Sequence, residues 1–249
     1  MPVLFLTDIL IFLLVIMVLC FAWYARRREH LRVPWQQVGR NRLAMSASVI
    51  LLAYVLIGLL DSLHFYPRLE SGEANGHRYS TEVISVLDTI TRHLRENTER
   101  TYSAPFATHA YSKETIYHPD GSVSREYPRL QFGGAHLADT DKRFHDILMK
   151  SLVAVLAGVL LWLVLGLVII LILARAGRRS LSEQLSMIRT GKTVIPWRVV
   201  LVTLGVLLVL SSWAWHLSHY YHIFGTDKVG QDVFYQALKS IRTGLMIGT

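Results

Sequence analysis

Four long apolar runs, residues 9–24, 43–60, 148–174 and 194–215, limit what this chain can fold into. A bilayer core of about 30 Å is crossed by roughly 20 apolar residues in a helix. Backbone polar groups facing lipid must be satisfied internally, which leaves helices or a closed barrel. The runs are continuous rather than alternating, so they read as helices. The expected class is an all-α polytopic membrane protein of about four transmembrane helices, with a small α+β extracytoplasmic domain. The first two runs are short, and they are expected either to tilt little or to recruit flanking residues. Of the 249 residues 52% are hydrophobic, and massing them this way is unlike a soluble domain. Cys20 is the only cysteine, so no intrachain disulfide forms and any domain outside the bilayer holds together by burial.

The formal charge of +8 raises nucleic acid as a partner. The arginines argue against it, because they cluster beside the apolar runs. Connector 25–42 carries Arg26, Arg27, Arg28, Arg32, Arg40 and Arg42 against Glu29. Connector 175–193 carries Arg175, Arg178, Arg179, Arg189 and Lys192 against Glu183. Short basic connectors stay in the cytoplasm. The acidic Asp8 precedes the first run and arginines follow it, the reverse of a secretory signal, so the first run reads as an uncleaved anchor. Segments 61–147 and 216–249 then lie outside. Trp23, Trp197, Trp213, Trp215, Tyr220 and Tyr221 fit interfacial positions, whereas Trp162 lies deep in its run and is expected to pack on another helix. Ala154, Gly158 and Gly166 are small positions on the third run that permit close helix packing.

Within 61–147, Ser80 or Thr81 is the expected cap of a helix reaching to about Arg100. Val83, Val86, Leu87, Ile90 and Leu94 form its apolar face. Arg92, Arg95, Glu96, Glu99 and Arg100 are expected to face water. Segments 110–118 and 122–131 flank Pro119-Asp120-Gly121, a hairpin signal. Ser103, His109 and Asp120 are the residue types of a triad, but a chain of this length supplies such sets by chance. Glu29 and Glu183 carry no visible chemistry.

His216, His219 and His222 follow the last run at three-residue spacing. Metal binding is one reading of them; an interfacial belt of amphipathic side chains is the simpler one. Next come Gly225-Thr226-Asp227, Gly230 and Asp232. The glycines suit a turn, and Asp232 is placed to cap a helix from Val233 to about Arg242. That helix places Val233, Phe234, Ala237, Leu238 and Ile241 on one side and Gln236, Lys239 and Ser240 towards the other, a pattern suited to lying flat in the membrane interface.

This order of residues resembles the start of the transmembrane core in the permease subunits of dipeptide- and oligopeptide-type ABC importers. His222, Gly225, Thr226, Asp227, Gly230, Asp232, Val233 and Arg242 match that family's pattern, while Gln231 stands where arginine is usual. A second patch, residues 35–45 with Asn41-Arg42-Leu43-Ala44, is similar to the family's cytoplasmic lead-in. Together they cover about a quarter of the chain. The extra spans and the 61–147 domain depart from the family, and its Glu-Ala-Ala coupling loop is missing. The resemblance implies the N-terminal region of a multi-pass permease in a bacterial inner membrane. It would form part of a peptide translocation path with a second permease subunit, cytoplasmic ATPase subunits and an extracytoplasmic substrate-binding protein. The matching residues would act structurally or along the substrate path. No catalytic residue, metal ligand or cofactor is expected in this chain. It has no Gly-x-x-x-x-Gly-Lys-Ser/Thr loop, and ATP would bind the partner ATPases. The alternative is a membrane-anchored sensor or assembly protein acting through residues 61–147.

Overall fold

A computed structural model describes residues 2–67, 80–117 and 123–248. Strand β1 (Pro2–Val3) leads into helix α1 (Leu6–Arg27), α2 (Glu29–Arg40) and α3 (Arg42–Ser62). Then come β2 (His64–Phe65), β3 (Ile84–Ser85), and the short helices α4 (Val86–Ile90) and α5 (Arg92–Glu96). Strands β4 (Glu114–Tyr117) and β5 (Val123–Glu126) precede α6 (Arg143–Ala176), α7 (Leu181–Thr190), α8 (Trp197–Ser218) and α9 (Val233–Ile247).

Helices α1, α3, α6 and α8 are long and apolar enough to cross a membrane. Their apolar side chains are largely exposed, as Leu13, Ile16, Leu51, Leu160, Leu167 and Val206 illustrate. A continuous apolar exterior of this size is tolerable in lipid and not in water. The chain is therefore a membrane protein. Both α1 and α3 extend beyond the apolar runs 9–24 and 43–60 into flanking residues. Asn41 explains where α3 begins: its Oδ1 accepts from the N–H groups of Leu43 (2.9 Å) and Ala44 (3.4 Å). The fourth span starts at Trp197 rather than at residue 194, because Pro196 disfavours a helical conformation at Ile195 before it.

The two basic connectors are not plain loops. The first holds α2, and the second holds α7. Glu183, for which no chemistry was expected, has a structural role: with Ser180 it forms the capping box that starts α7.

The chain divides into two compact units, one made of residues 1–4, 57–153 and 213–249, the other of residues 5–56 and 154–212. In the second unit, Trp162 packs on α8 as expected. Its indole N–H donates to the Leu201 carbonyl at 2.8 Å. A Cβ at Gly205 would meet that ring at 2.6–2.9 Å, so only glycine leaves room for it. Ala154 and Gly158 also face α8: Ser212 donates to the Ala154 carbonyl at 2.9 Å, and a Cβ at Gly158 would lie 2.8 Å from the Val209 Cα. Gly166 does not serve this purpose, since nothing lies within 4 Å of a Cβ built there.

In the first unit, β1, β2 and β3 form a small antiparallel sheet in that order, with Pro2 opposite Phe65 and His64 opposite Ser85. The expected helix from residue 80 to 100 is wrong in its first turns and broken in its middle. Residues 84–85 join the sheet, and Ser85, not Ser80 or Thr81, caps α4 through a capping box with Asp88. The chain then bends at Thr91 before α5. Sheet pairing outweighed a helical period that a β-branched run (Val83, Ile84) supported only weakly. The hairpin pairs β4 with β5, Glu114 opposite Glu126 and Tyr117 opposite Val123. The pairing continues as a bridge between His109 and Arg129. The expected Pro119-Asp120-Gly121 turn, and Asp120 with it, lies outside the described residues. Leu87, Leu94, Ala107, Ala110, Leu130, Leu217, Tyr221 and Ile223 are the buried apolar side chains of this unit.

Candidate functional site: a buried acid–histidine–acid joint

Residues 222–232 connect α8 to α9, and their backbone is bonded to the segment after α5. The Glu99 N–H donates to the Gly230 carbonyl (2.9 Å), the Phe106 N–H to the His222 carbonyl (3.0 Å) and the Thr226 N–H to the Ser103 carbonyl (3.3 Å). The Thr226 hydroxyl donates towards the Thr101 carbonyl and the Ser103 Oγ, at 2.8 and 3.0 Å. Gly225 and Gly230 both have positive φ, 75° and 78°. At each a Cβ would overlap a backbone carbonyl, that of Ser103 or of Glu99. The two glycines therefore serve left-handed turns and close backbone approach together.

His222 sits at the centre. Its Nδ1 lies 2.7 Å from Asp232 Oδ2 and its Nε2 3.3 Å from Glu99 Oε1. The three residues are 4%, 1% and 8% exposed respectively. Each acid has further donors. Glu99 accepts from the N–H groups of Gln131 (2.8 Å), Phe132 (2.8 Å) and Gly133 (3.0 Å). Asp232 Oδ1 accepts from Phe234 (2.8 Å) and Tyr235 (3.3 Å), which makes it the expected N-cap of α9. Burial alone would push the imidazole pKa down. The hydrogen bonds and charges of Asp232 and Glu99 outweigh it and raise the value from 6.5 to about 9. Burial would also push the Glu99 carboxyl up, but the His222 bond and the three backbone N–H groups hold it at about 2. At neutral pH the joint is an imidazolium between two carboxylates, with every strong acceptor satisfied.

Such an arrangement ties the 222–232 turn to Glu99 and its segment. Both imidazole nitrogens donate to carboxylates, so His222 has no lone pair with which to take a proton. The space beside it, near His93 and Tyr220, is about 10 Å³, enough for about one water.

Of the remaining expected residues, Asp227 lies in the turn beside this joint and Arg242 lies on α9. Asp227 closes the 227–231 turn, accepting from the N–H groups of Val229 (3.0 Å) and Gln231 (2.9 Å) and from Gln236 Nε2 (2.6 Å). Arg242 is on α9, well away in sequence from the joint, half-buried. Helix α9 extends to Ile247, past the expected end at Arg242. Its polar side is not simply turned to water. Lys239 Nζ lies 2.6 Å from Asp61 Oδ1 and 3.0 Å from Asp88 Oδ1, and the Tyr235 hydroxyl donates to Asp88 at 2.7 Å. The two acids sit at the end of α3 and in the first turn of α4, so α9 is tied down by charge where amphipathicity alone suggested an unattached interfacial helix.

The three histidines are drawn to different partners. His219 stacks on His93 at 3.8 Å, His216 meets the Tyr220 ring at 5.5 Å, and His222 turns into the joint. Among the described residues no group of three or more His, Cys, Asp or Glu side chains is arranged to hold a metal ion. Ser103 is engaged with Thr226, and His109 with Thr108 at 3.1 Å. The residue that sequence reasoning placed wrongly is Glu99. It was expected in water on a helical face. The helix ends before it, and Glu99 turns inward to three N–H groups about thirty residues away.

The pH dependence of stability follows from these groups. His222 holds its proton more tightly when folded, so its contribution is complete below about 6.5 and fades as pH rises to about 9. His93 behaves oppositely: burial, then the neighbouring His219, lower it to about 4, so stability falls as pH drops from 6.5 to 4. Glu99 holds its proton less tightly when folded and withdraws its contribution below about 4.5, as pH falls towards 2. Asp88, also held at about 2, acts in the same direction below 3.8. Thermal midpoints measured in detergent from pH 3 to 10 are expected to peak near 6.5. His93→Gln is expected to flatten the limb between 6.5 and 4. A monotonic profile would contradict this account.

Comparison with protein-family models, curated proteins and solved structures gives no match.

Proposed function

We propose that this chain is a permease subunit of a peptide-type ABC importer in a bacterial inner membrane. The observation that carries the reading is the joint at residues 222–232. Most of the residues that match the permease pattern, His222 to Asp232, make one fixed connection between α8 and α9. His222 and Asp232 pair directly, Gly225 and Gly230 permit the backbone approach, and Thr226 and Asp227 close the turns. Six of the eight matching residues have a physical task in this one turn, while Val233 and Arg242 lie on α9, and that concentration supports the resemblance. In this reading the joint sets the angle at which α9 leaves the fourth span, and the basic connectors face the ATPase subunits. The chain's task is passage and coupling rather than bond chemistry.

The test is affinity purification of the protein from its native host, together with uptake measurements. The transport reading expects an ATP-hydrolysing subunit to co-purify in stoichiometric amount and uptake of labelled di- or oligopeptides to fall on gene deletion. Purification without any such subunit, with uptake unchanged, would overturn it and favour the membrane-anchored sensor.

A further inference from the structure

The two basic connectors of the second unit meet at a cavity that the transport reading leaves unused. It has a volume of about 620 Å³. Arg40 at the end of α2, Arg42 at the start of α3, Arg189 in the last turn of α7 and Arg198 in the first turn of α8 all line it. Among the described residues none of these four arginines makes an ion pair. The four exposed guanidinium groups, from four helices, gather positive charge on one cavity, and an anion lying among them would relieve their mutual repulsion. Guanidinium is also the side chain whose forked donors match phosphate oxygens best.

The rest of the lining narrows the class of anion. Val199 and Val202 continue the wall along α8, a helix apolar enough to span a membrane. The basic cavity also shares Arg40 and Val194 with a second cavity of about 600 Å³, which is apolar and lies against Phe21 and Trp35. A soluble phosphate has no use for apolar walls. A lipid needs both, a cationic seat for its headgroup and an apolar surface for its chains. We infer that the Arg40–Arg42–Arg189–Arg198 cavity binds the phosphate headgroup of an anionic phospholipid, with an acyl chain against the adjoining apolar wall. Basic pockets between membrane helices are the recognised setting for such lipids. The inference stands whether or not the chain serves transport.

The experiment is a thermal-unfolding titration of the full chain in uncharged detergent micelles. The probes are phosphatidylglycerol, phosphatidylcholine and inorganic phosphate at matched concentrations. Phosphatidylglycerol is expected to raise the midpoint saturably, and the other two to leave it unchanged. R189Q/R198Q is expected to raise the half-saturating amount of phosphatidylglycerol about tenfold, and Arg40→Gln to act in the same direction from a different helix. The charge-matched R175Q/R178Q variant lies in the same connector outside the cavity and is expected to leave the titration unchanged. Three results would overturn the inference. An equal shift with phosphatidylcholine would show that the anionic headgroup is not recognised; inorganic phosphate reproducing the shift would mark a free-phosphate site; and equal weakening by R175Q/R178Q would reduce the effect to diffuse surface charge.

Discussion

His222→Ala is expected to destabilise the first unit by about 3–5 kcal/mol, the range for removing one partner of a buried ion pair. The loss is not the worth of two hydrogen bonds. It is the cost of leaving Glu99 and Asp232 as two like charges in a space from which water is nearly excluded. The spans of the second unit have their own contacts, so the measurement should be local. Amide exchange at Gln131, Phe132 and Gly133, whose N–H groups are held by Glu99, should accelerate at least about 100-fold. A second signature separates charge from packing. Without the imidazolium, the two carboxylates raise each other's pKa, take up protons more readily when folded, and make the variant more stable in acid than at neutral pH. Glu99→Gln keeps the shape and removes one charge, and in combination with His222→Ala it should cost less than the two separate losses added together. Additive losses, or exchange unchanged at residues 131–133, would show that the joint does not hold this segment.

The same residues show what the sequence could and could not reveal. The spans were legible because lipid imposes length and apolarity on a continuous run, a local signal. Asp232 as the cap of α9 was legible for the same reason, since a cap acts on N–H groups two and three residues ahead. The glycines marked turns correctly. Glu99 was illegible. Its partners are His222, 123 residues later, and three N–H groups beyond a hairpin, and no local pattern encodes a contact of that separation. Lys239 shows a related limit. Its place on the polar side of an amphipathic helix was right, yet Asp61 and Asp88 lie opposite that side. Periodicity reports which side of a helix is polar; it does not report whether water or a protein carboxylate waits there. The α2 and α7 helices in the basic connectors were missed because charge, from which a cytoplasmic side was expected, says little about backbone conformation.

Gly230→Ala is expected to be as severe as the loss of His222, about 3 kcal/mol or more, although it removes no polar group at all. Two costs add. A left-handed φ of 78° is unfavourable for alanine by about 1–2 kcal/mol. The new Cβ would also overlap the Glu99 carbonyl, which is backbone and has no rotamer by which to escape. Relieving the overlap separates the Glu99 N–H from the Gly230 carbonyl and draws Glu99 away from His222, so the steric effect enters the ion cluster. Gly230→Asn divides the two costs, because asparagine tolerates the left-handed region but carries a Cβ. If overlap dominates, asparagine is as damaging as alanine; if the dihedral dominates, asparagine recovers most of the stability. The geometry favours the first outcome. Gly244→Ala in α9 supplies the internal comparison: nothing lies within 4 Å of its Cβ and its φ is helical, so it should be neutral or gain up to about 1 kcal/mol. Thermal midpoints of the three variants decide the matter. A Gly230→Ala protein as stable as Gly244→Ala would mean that residues 222–232 do not close onto Glu99 in the way described.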